Sequence, residues 1–148
     1  MSHRPVIVVC EDGHEYSERF TRLLGGEARF IRAPDLAAAR SAIDAGADGL
    51  FLDLDFRRAP PATLVDESSV AQAGRSDGES RRLAQIQGIL VLRALRQAGV
   101  TLPALLFADL DDPARQDYLE QSLAPLEVIP SSVGLPAIAE RIRAWTAS

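Results

Sequence analysis

The chain has 148 residues, of which 47% are hydrophobic and 25% are charged, and its formal net charge is −5. This length and composition predict one globular domain, residues 1–148, and exclude a disordered chain. The negative charge argues against a nucleic-acid or anionic-membrane surface, and the absence of a long apolar run or a signal-peptide layout indicates a cytoplasmic protein without a membrane span.

Five apolar runs along the chain predict β-strands. They lie near residues 5–10, 28–32, 49–53, 103–107 and 126–129. The first contains Val6-Ile7-Val8-Val9, a continuous β-branched stretch that is typical of a strand buried on both faces. Such strands occur in parallel sheets, where helices cover both sides.

Helical periods separate these five runs. Asp35 can cap the second helix, the third runs from about Glu79 to Gly99, and Asp111 or Asp112 with Pro113 starts the fourth. The inward positions of the first, second, third and last helices are Tyr16, Phe20, Leu23, Leu24; Leu36, Ala39, Ile43; Leu83, Ile86, Leu90, Ala94; and Leu135, Ile138, Ile142, Trp145. Strict alternation of strands and helices predicts an α/β fold with a flavodoxin-like parallel sheet in the order 2-1-3-4-5.

The segment from residue 57 to 78 interrupts this pattern. It contains Pro60-Pro61, several serines and two glycines, and no clean period. We therefore predict a long insertion loop after the third strand. Loops of about twenty residues inside a compact domain are uncommon and are usually either functional or disordered.

Acidic residues follow two strands that the predicted order makes neighbours. Glu11 and Asp12 come after the first strand, and Asp53 and Asp55 come at the end of the third. The carboxyl ends of parallel strands meet at one edge of a sheet, so these four carboxylates should converge. Such a group either binds a divalent cation through oxygen ligands or raises the pKa of one member.

Several stretches resemble response-regulator receiver domains. Residues 6–12 are similar to the first receiver strand with its acidic pair, and residues 48–54 to the third strand ending at the phospho-accepting aspartate. Residues 88–96 and 102–107 are similar to the third helix and fourth strand of the family. The resemblance covers nearly the whole chain except about residues 56–80.

The resemblance implies a signalling role. Asp53 would be the nucleophile that accepts a phosphoryl group from a histidine kinase. Glu11, Asp12 and Asp53, with the backbone carbonyl of Asp55, would hold Mg²⁺, which offsets charge on the transferring oxygens. The partners would be a histidine kinase or a downstream effector, and a homodimer through the last helices would be a further association.

Four positions depart from the family pattern. Cys10 replaces the first acid of the usual pair, Ala108 replaces the hydroxyl residue that ends the fourth strand, Ile129 replaces the lysine of the fifth, and Leu126 replaces its aromatic switch residue. Loss of one preorganised donor to a developing anion costs on the order of a hundredfold in rate. The departures predict a pseudo-receiver that acts through protein contacts and is not an enzyme.

Two other functions remain open from the sequence. One is an atypical response regulator that is phosphorylated on Asp53. The other is a phosphatase of the haloacid-dehalogenase type, which the Asp53-x-Asp55 spacing also resembles, with Asp55 as general acid. The haloacid-dehalogenase family needs a lysine, and the chain has none. In the receiver interpretation, Arg57 or Arg58 could replace the lysine missing from the fifth strand; the alternative is that both arginines lie on a solvated face.

Overall fold

A computed structural model describes residues 4–146, with side chains to residue 145. Five parallel strands form one sheet in the order β2-β1-β3-β4-β5. Their bounds are β1 Val6–Cys10, β2 Arg29–Ala33, β3 Gly49–Asp53, β4 Ala104–Phe107 and β5 Leu126–Ile129. The predicted fold class, strand positions and strand order are confirmed.

Within residues 4–146, six α-helices accompany the sheet. They are α1 Glu15–Leu24, α2 Leu36–Asp44, α3 Asp77–Gln85, α4 Gln87–Gln97, α5 Pro113–Ser122 and α6 Leu135–Thr146. The caps of two helices follow the sequence prediction: Asp35 accepts a hydrogen bond from the Ala38 amide at 2.8 Å, and Asp112 accepts one from the Ala114 amide at 3.0 Å.

The two faces of the sheet carry separate hydrophobic clusters. Val8 and Cys10 of β1 point to the side covered by α2, α3, α4 and α5, and Ile7 and Val9 to the side covered by α1 and α6. This alternation follows from the two-residue period of a strand. Leu23 was predicted to face inward on α1, but its side chain is 56% exposed.

The predicted third helix is two helices in the structure. A single helix from about Glu79 to Gly99 was expected, but the backbone of Ile86 leaves the helical region with φ −125° and ψ 17°. The junction lies against the end of β3, where the Gly88 amide donates to the Leu54 carbonyl at 3.0 Å. Contact with the strand therefore interrupts a period that looks continuous in the sequence.

The predicted insertion after β3 is present, and it contains short regular elements. Pro61–Thr63 form a 3₁₀ helix, and Val65 pairs with Ala71 in an antiparallel bridge. The Ser76 hydroxyl accepts a hydrogen bond from the Glu79 amide at 3.1 Å and caps α3, which starts inside the segment predicted as loop. Leu64 and Val65 are each 2% exposed and belong to the larger hydrophobic cluster.

Two polar side chains fasten the insertion to the domain and to itself. The buried Gln87 amide accepts a hydrogen bond from the Val65 amide at 2.8 Å and donates to the Val65 carbonyl at 3.1 Å. The Arg75 guanidinium donates to the carbonyls of Leu64 and Val70 at 2.7 and 2.8 Å. The two Gln87 bonds satisfy the backbone groups of Val65, which are buried.

Candidate functional site

Asp53 ends β3 at the carboxyl edge of the sheet, where its side chain is partly buried. Within residues 4–146, its carboxylate receives one hydrogen bond, from the Leu54 amide at 2.9 Å. The pKa of Asp53 is raised to about 6, chiefly by burial; the Leu54 amide opposes the rise, and the charges of Asp12, Asp55 and Glu11 contribute to it. The charges of the other three acids at this edge of the sheet therefore act on Asp53.

Glu11 is turned toward helix α1. Its side chain is buried, and its two carboxylate oxygens accept hydrogen bonds from the amides of Tyr16 at 3.0 Å and Ser17 at 2.7 Å. A carboxylate at this place satisfies free amides of the first helical turn and interacts favourably with the helix dipole. The residue before the helix, His14, makes no side-chain cap bond, so Glu11 supplies the cap.

Asp12 is bound by Arg58 from the start of the insertion. The Asp12 side chain is only 2% exposed, and its Oδ1 lies 3.1 Å from Arg58 Nη2. Its Oδ2 accepts from the Arg58 amide at 2.8 Å and from Nε at 3.3 Å. The same guanidinium lies 2.6 Å from Glu15, and this contact is the main cause that lowers the Glu15 pKa to about 2.

We call the carboxyl ends of β1 and β3, with Glu11, Asp12, Asp53 and Asp55, the acidic edge of the sheet. Arg58 lies on the β1 side of this edge. The sequence offered Arg57 or Arg58 as a replacement for the lysine missing from the fifth strand. Instead, Arg58 binds Asp12 and Glu15, and Arg57 binds the Asp55 carboxylate, with a shortest separation of 2.6 Å.

A magnesium ion does not fit this arrangement of the predicted ligands. Glu11 uses both oxygens on α1, and Asp12 uses both on Arg58. In the part of the chain that the structure describes, no group of three or more histidine, cysteine, aspartate or glutamate side chains is placed to hold a metal ion. The predicted Mg²⁺ set is therefore not brought together as a coordination shell.

The ends of β4 and β5 carry apolar side chains, and the loops that follow them are tied together. Ala108 is 5% exposed, and its amide donates to the Ile129 carbonyl at 2.9 Å. Next to this pair, Asp109 accepts hydrogen bonds from the Ser131 amide at 2.8 Å and hydroxyl at 2.5 Å, and these lower the Asp109 pKa. Sequence reasoning missed this tie, although both residues follow strand ends.

Cys10 behaves as the small apolar residue that the sequence predicted. It is 1% exposed at the end of β1, and burial, followed by the charge of Glu11, raises the pKa of its thiol to about 12. A thiol held in the protonated form is a poor nucleophile and a poor metal ligand. Cys10, at the position that the resemblance assigns to the first acid of the receiver pair, therefore contributes packing and no charge.

Solved receiver domains share this architecture over nearly the whole chain. The receiver domain of the Francisella response regulator 1452 matches with a TM-score of 0.67 and 13% identity, over 96% of each chain. The BeF3-activated receiver domain of Klebsiella pneumoniae RstA matches with a TM-score of 0.64 and 18% identity, over 97% of this chain and 100% of that chain. The chain has the receiver fold.

A third similar structure is a response regulator receiver protein from Pseudoalteromonas atlantica, with a TM-score of 0.66 and 13% identity over 96% of this chain and 97% of that chain. No family model and no curated protein matches the sequence. The insertion after β3 is followed by α3, which ends at Gln85, and then by α4, which begins at Gln87.

Proposed function

We propose that this chain is a cytoplasmic signalling module with the receiver fold, that residues 1–148 act as one unit, and that its protein contacts do not depend on phosphorylation. The observation that carries this proposal is the environment of Asp53. The Asp53 carboxylate accepts a hydrogen bond from the Leu54 amide, at the end of its own strand. Ala108 and Ile129 occupy the positions at the ends of β4 and β5 that would supply a hydroxyl and an ammonium group in the receiver family.

A phosphoryl group on Asp53 would have few contacts through which to change the conformation. A ligand shifts an equilibrium between two conformations only through its different affinity for them. A methyl group at Ala108 and an aliphatic chain at Ile129 offer a phosphoryl oxygen no hydrogen bond or charge in either conformation. The Asp109–Ser131 contact already holds the two adjacent loops together without such a ligand.

The alternative is a working phospho-acceptor that takes its phosphoryl group from a histidine kinase. The position of Asp53 at the carboxyl end of a central strand, among three other acids, supports this alternative. A phosphatase reaction with Asp55 as general acid has less support, because Arg57 binds the Asp55 carboxylate through two guanidinium nitrogens. Beryllofluoride with Mg²⁺, a phosphoryl mimic, separates the working acceptor from the phosphorylation-independent module.

The partner surface is proposed to include the insertion and the face of the last two helices. Val70 in the insertion is 47% exposed, and Tyr118 on α5 is 63% exposed. Large exposed apolar side chains of this kind provide much of the binding energy at protein interfaces. Deleting residues 60–77 would remove Leu64 and Val65 from the core, so single surface substitutions are the better probe.

The test measures the affinity of a partner captured from the native host and then purified. We expect Val70→Arg and Tyr118→Arg to weaken binding at least about tenfold. Thr21→Arg, on the exposed side of α1 that faces β2, is the control, and it should bind like the wild type, as should Asp53→Ala. Beryllofluoride should leave the affinity unchanged. If Asp53→Ala abolishes binding while the two surface variants are silent, phosphorylation controls this protein and the proposal is wrong.

A further inference from the structure

The acidic edge of the sheet holds its own cation. Arg58 makes three hydrogen bonds to Asp12 and two to Glu15, so that its backbone amide and three guanidinium nitrogens all face carboxylates. Paired bonds from a guanidinium to a carboxylate are among the strongest hydrogen bonds at protein surfaces. Asp12 is almost fully buried beneath this contact, whereas Arg58 itself is 57% exposed.

The backbone under Arg58 is held by a second arginine. Arg32 of β2 donates from Nη2 to the Asp12 carbonyl at 2.7 Å, and from Nε to the Gly13 carbonyl. A Cβ on Gly13 would lie 2.4 Å from Arg58 Nη2 and 2.2 Å from a Glu15 oxygen, so glycine leaves the room in which this pair lies. The loop after β1 is therefore shaped around two guanidinium groups.

We propose that Arg58 is the resident counter-cation of this edge and that it excludes a divalent cation from Asp12 and Asp53. Both oxygens of Asp12 are directed to Arg58, and a metal ion would have to displace it. An arginine stays charged at every physiological pH, so the exclusion does not depend on protonation. The inference rests on the proposed function, because both hold that the acidic edge does not change its conformation on phosphorylation.

The structure offers a matched control in the insertion. Arg82 also bridges two carboxylates, with Nη1 2.5 Å from Glu67 and Nη2 2.7 Å from Glu79. Arg58→Gln and Arg82→Gln each remove one cation and release two acids, but only the first releases an acid beside Asp53. Both arginines are about half exposed, so neither substitution removes core packing.

The experiment measures Mn²⁺ binding by titration calorimetry and by electron paramagnetic resonance on the whole chain. We expect Arg58→Gln to bind Mn²⁺ at least about tenfold more tightly than the wild type and Arg82→Gln, because a competing cation has been removed. Adding Asp53→Asn to Arg58→Gln should reverse the gain. Circular dichroism and thermal unfolding establish that each variant is folded.

Two results would overturn the inference. One is a wild type that binds Mn²⁺ as tightly as Arg58→Gln, and the other is a folded Arg58→Gln that gains no affinity. Neither result bears on partner binding, which is measured separately with beryllofluoride. The inference about Arg58 and the proposed function can therefore fail independently.

Discussion

The insertion and the acidic edge adjoin each other at the end of β3, but their polar groups are satisfied in different ways. In the insertion, the Arg75 side chain is 6% exposed and is bonded to Asp66 and two carbonyls. Gln87 of α4, which is 2% exposed, makes three hydrogen bonds, two of them to Val65 of the insertion. At the edge, the partly buried Asp53 has one hydrogen bond and a raised pKa.

This difference indicates where the chain gains stability and where it does not. Fully bonded buried polar groups help to specify one conformation. A half-buried carboxylate among other carboxylates lowers stability, and such groups are concentrated at functional sites. The insertion therefore acts as part of the scaffold, while the edge keeps an unfavourable charge that the rest of the fold must offset.

The largest effect is expected where the two regions meet, at Gly88. A Cβ at this position would lie 2.1 Å from the Asp53 carbonyl oxygen, and backbone cannot yield as a side chain can. We expect Gly88→Ala to lower the free energy of unfolding by about 3 kcal/mol, measured by urea denaturation. Gly78→Ala, at the same second position of α3, meets open space and should raise it by about 0.5–1 kcal/mol. Equal effects would disprove the close contact.

The next effect tests whether the insertion is scaffold. Gln87→Ala leaves both backbone groups of the buried Val65 without partners, and we expect a loss of about 2 kcal/mol in the free energy of unfolding. The control is Gln85→Ala, two residues earlier and exposed, which should change stability little. If the two variants are equally stable, the insertion does not support the fold through Gln87.

A smaller effect, of opposite sign, is expected at the edge. The pKa of Asp53 rises from 3.8 to about 6 on folding, so protonation stabilises the folded state below about pH 4 and this benefit is lost as the pH rises through 6. Asp53→Asn should therefore be more stable than the wild type by about 1 kcal/mol at pH 8, after allowance for partial exposure.

That advantage should shrink as the pH falls toward 4, in chemical denaturation at a series of pH values. Asp117→Asn, on the exposed side of α5, is the control and should show no such trend. A destabilised Asp53→Asn, or an advantage independent of pH, would show that the Asp53 carboxylate is better satisfied than its surroundings indicate.

The smallest effect concerns the tie between the loops after β4 and β5. Ser131→Ala removes the hydroxyl that donates to Asp109 but keeps the backbone amide that also donates. The pKa of the Asp109 carboxyl should rise toward its ordinary value in an NMR titration, without a measurable change in stability. Ser132→Ala is the neighbouring control. An unchanged Asp109 pKa would show that the Ser131 hydroxyl does not contribute to this contact.

Local pattern in the sequence determined the strands, most helix positions and the strand order. Val6-Ile7-Val8-Val9 could only be stable with both faces covered, and alternating elements restrict the topology to few arrangements. The position of Glu11, Asp12, Asp53 and Asp55 at one edge of the sheet followed in turn, because the carboxyl ends of parallel strands share an edge. The burial and protonated thiol of Cys10 were predictable for the same reason.

Tertiary structure alone decided what each of these acids binds. Arg58 reaches Asp12 across 46 positions of sequence, and Gln87 reaches Val65 across 22. The periodicity of the sequence does not predict such pairs of distant residues, because it indicates only which face of a helix or strand a residue occupies. The break between the two helices at Ile86 also depends on a contact between distant segments, because Gly88 lies against the backbone at the end of β3. Contacts between distant segments depend on how the chain packs, and packing is settled only in the folded molecule.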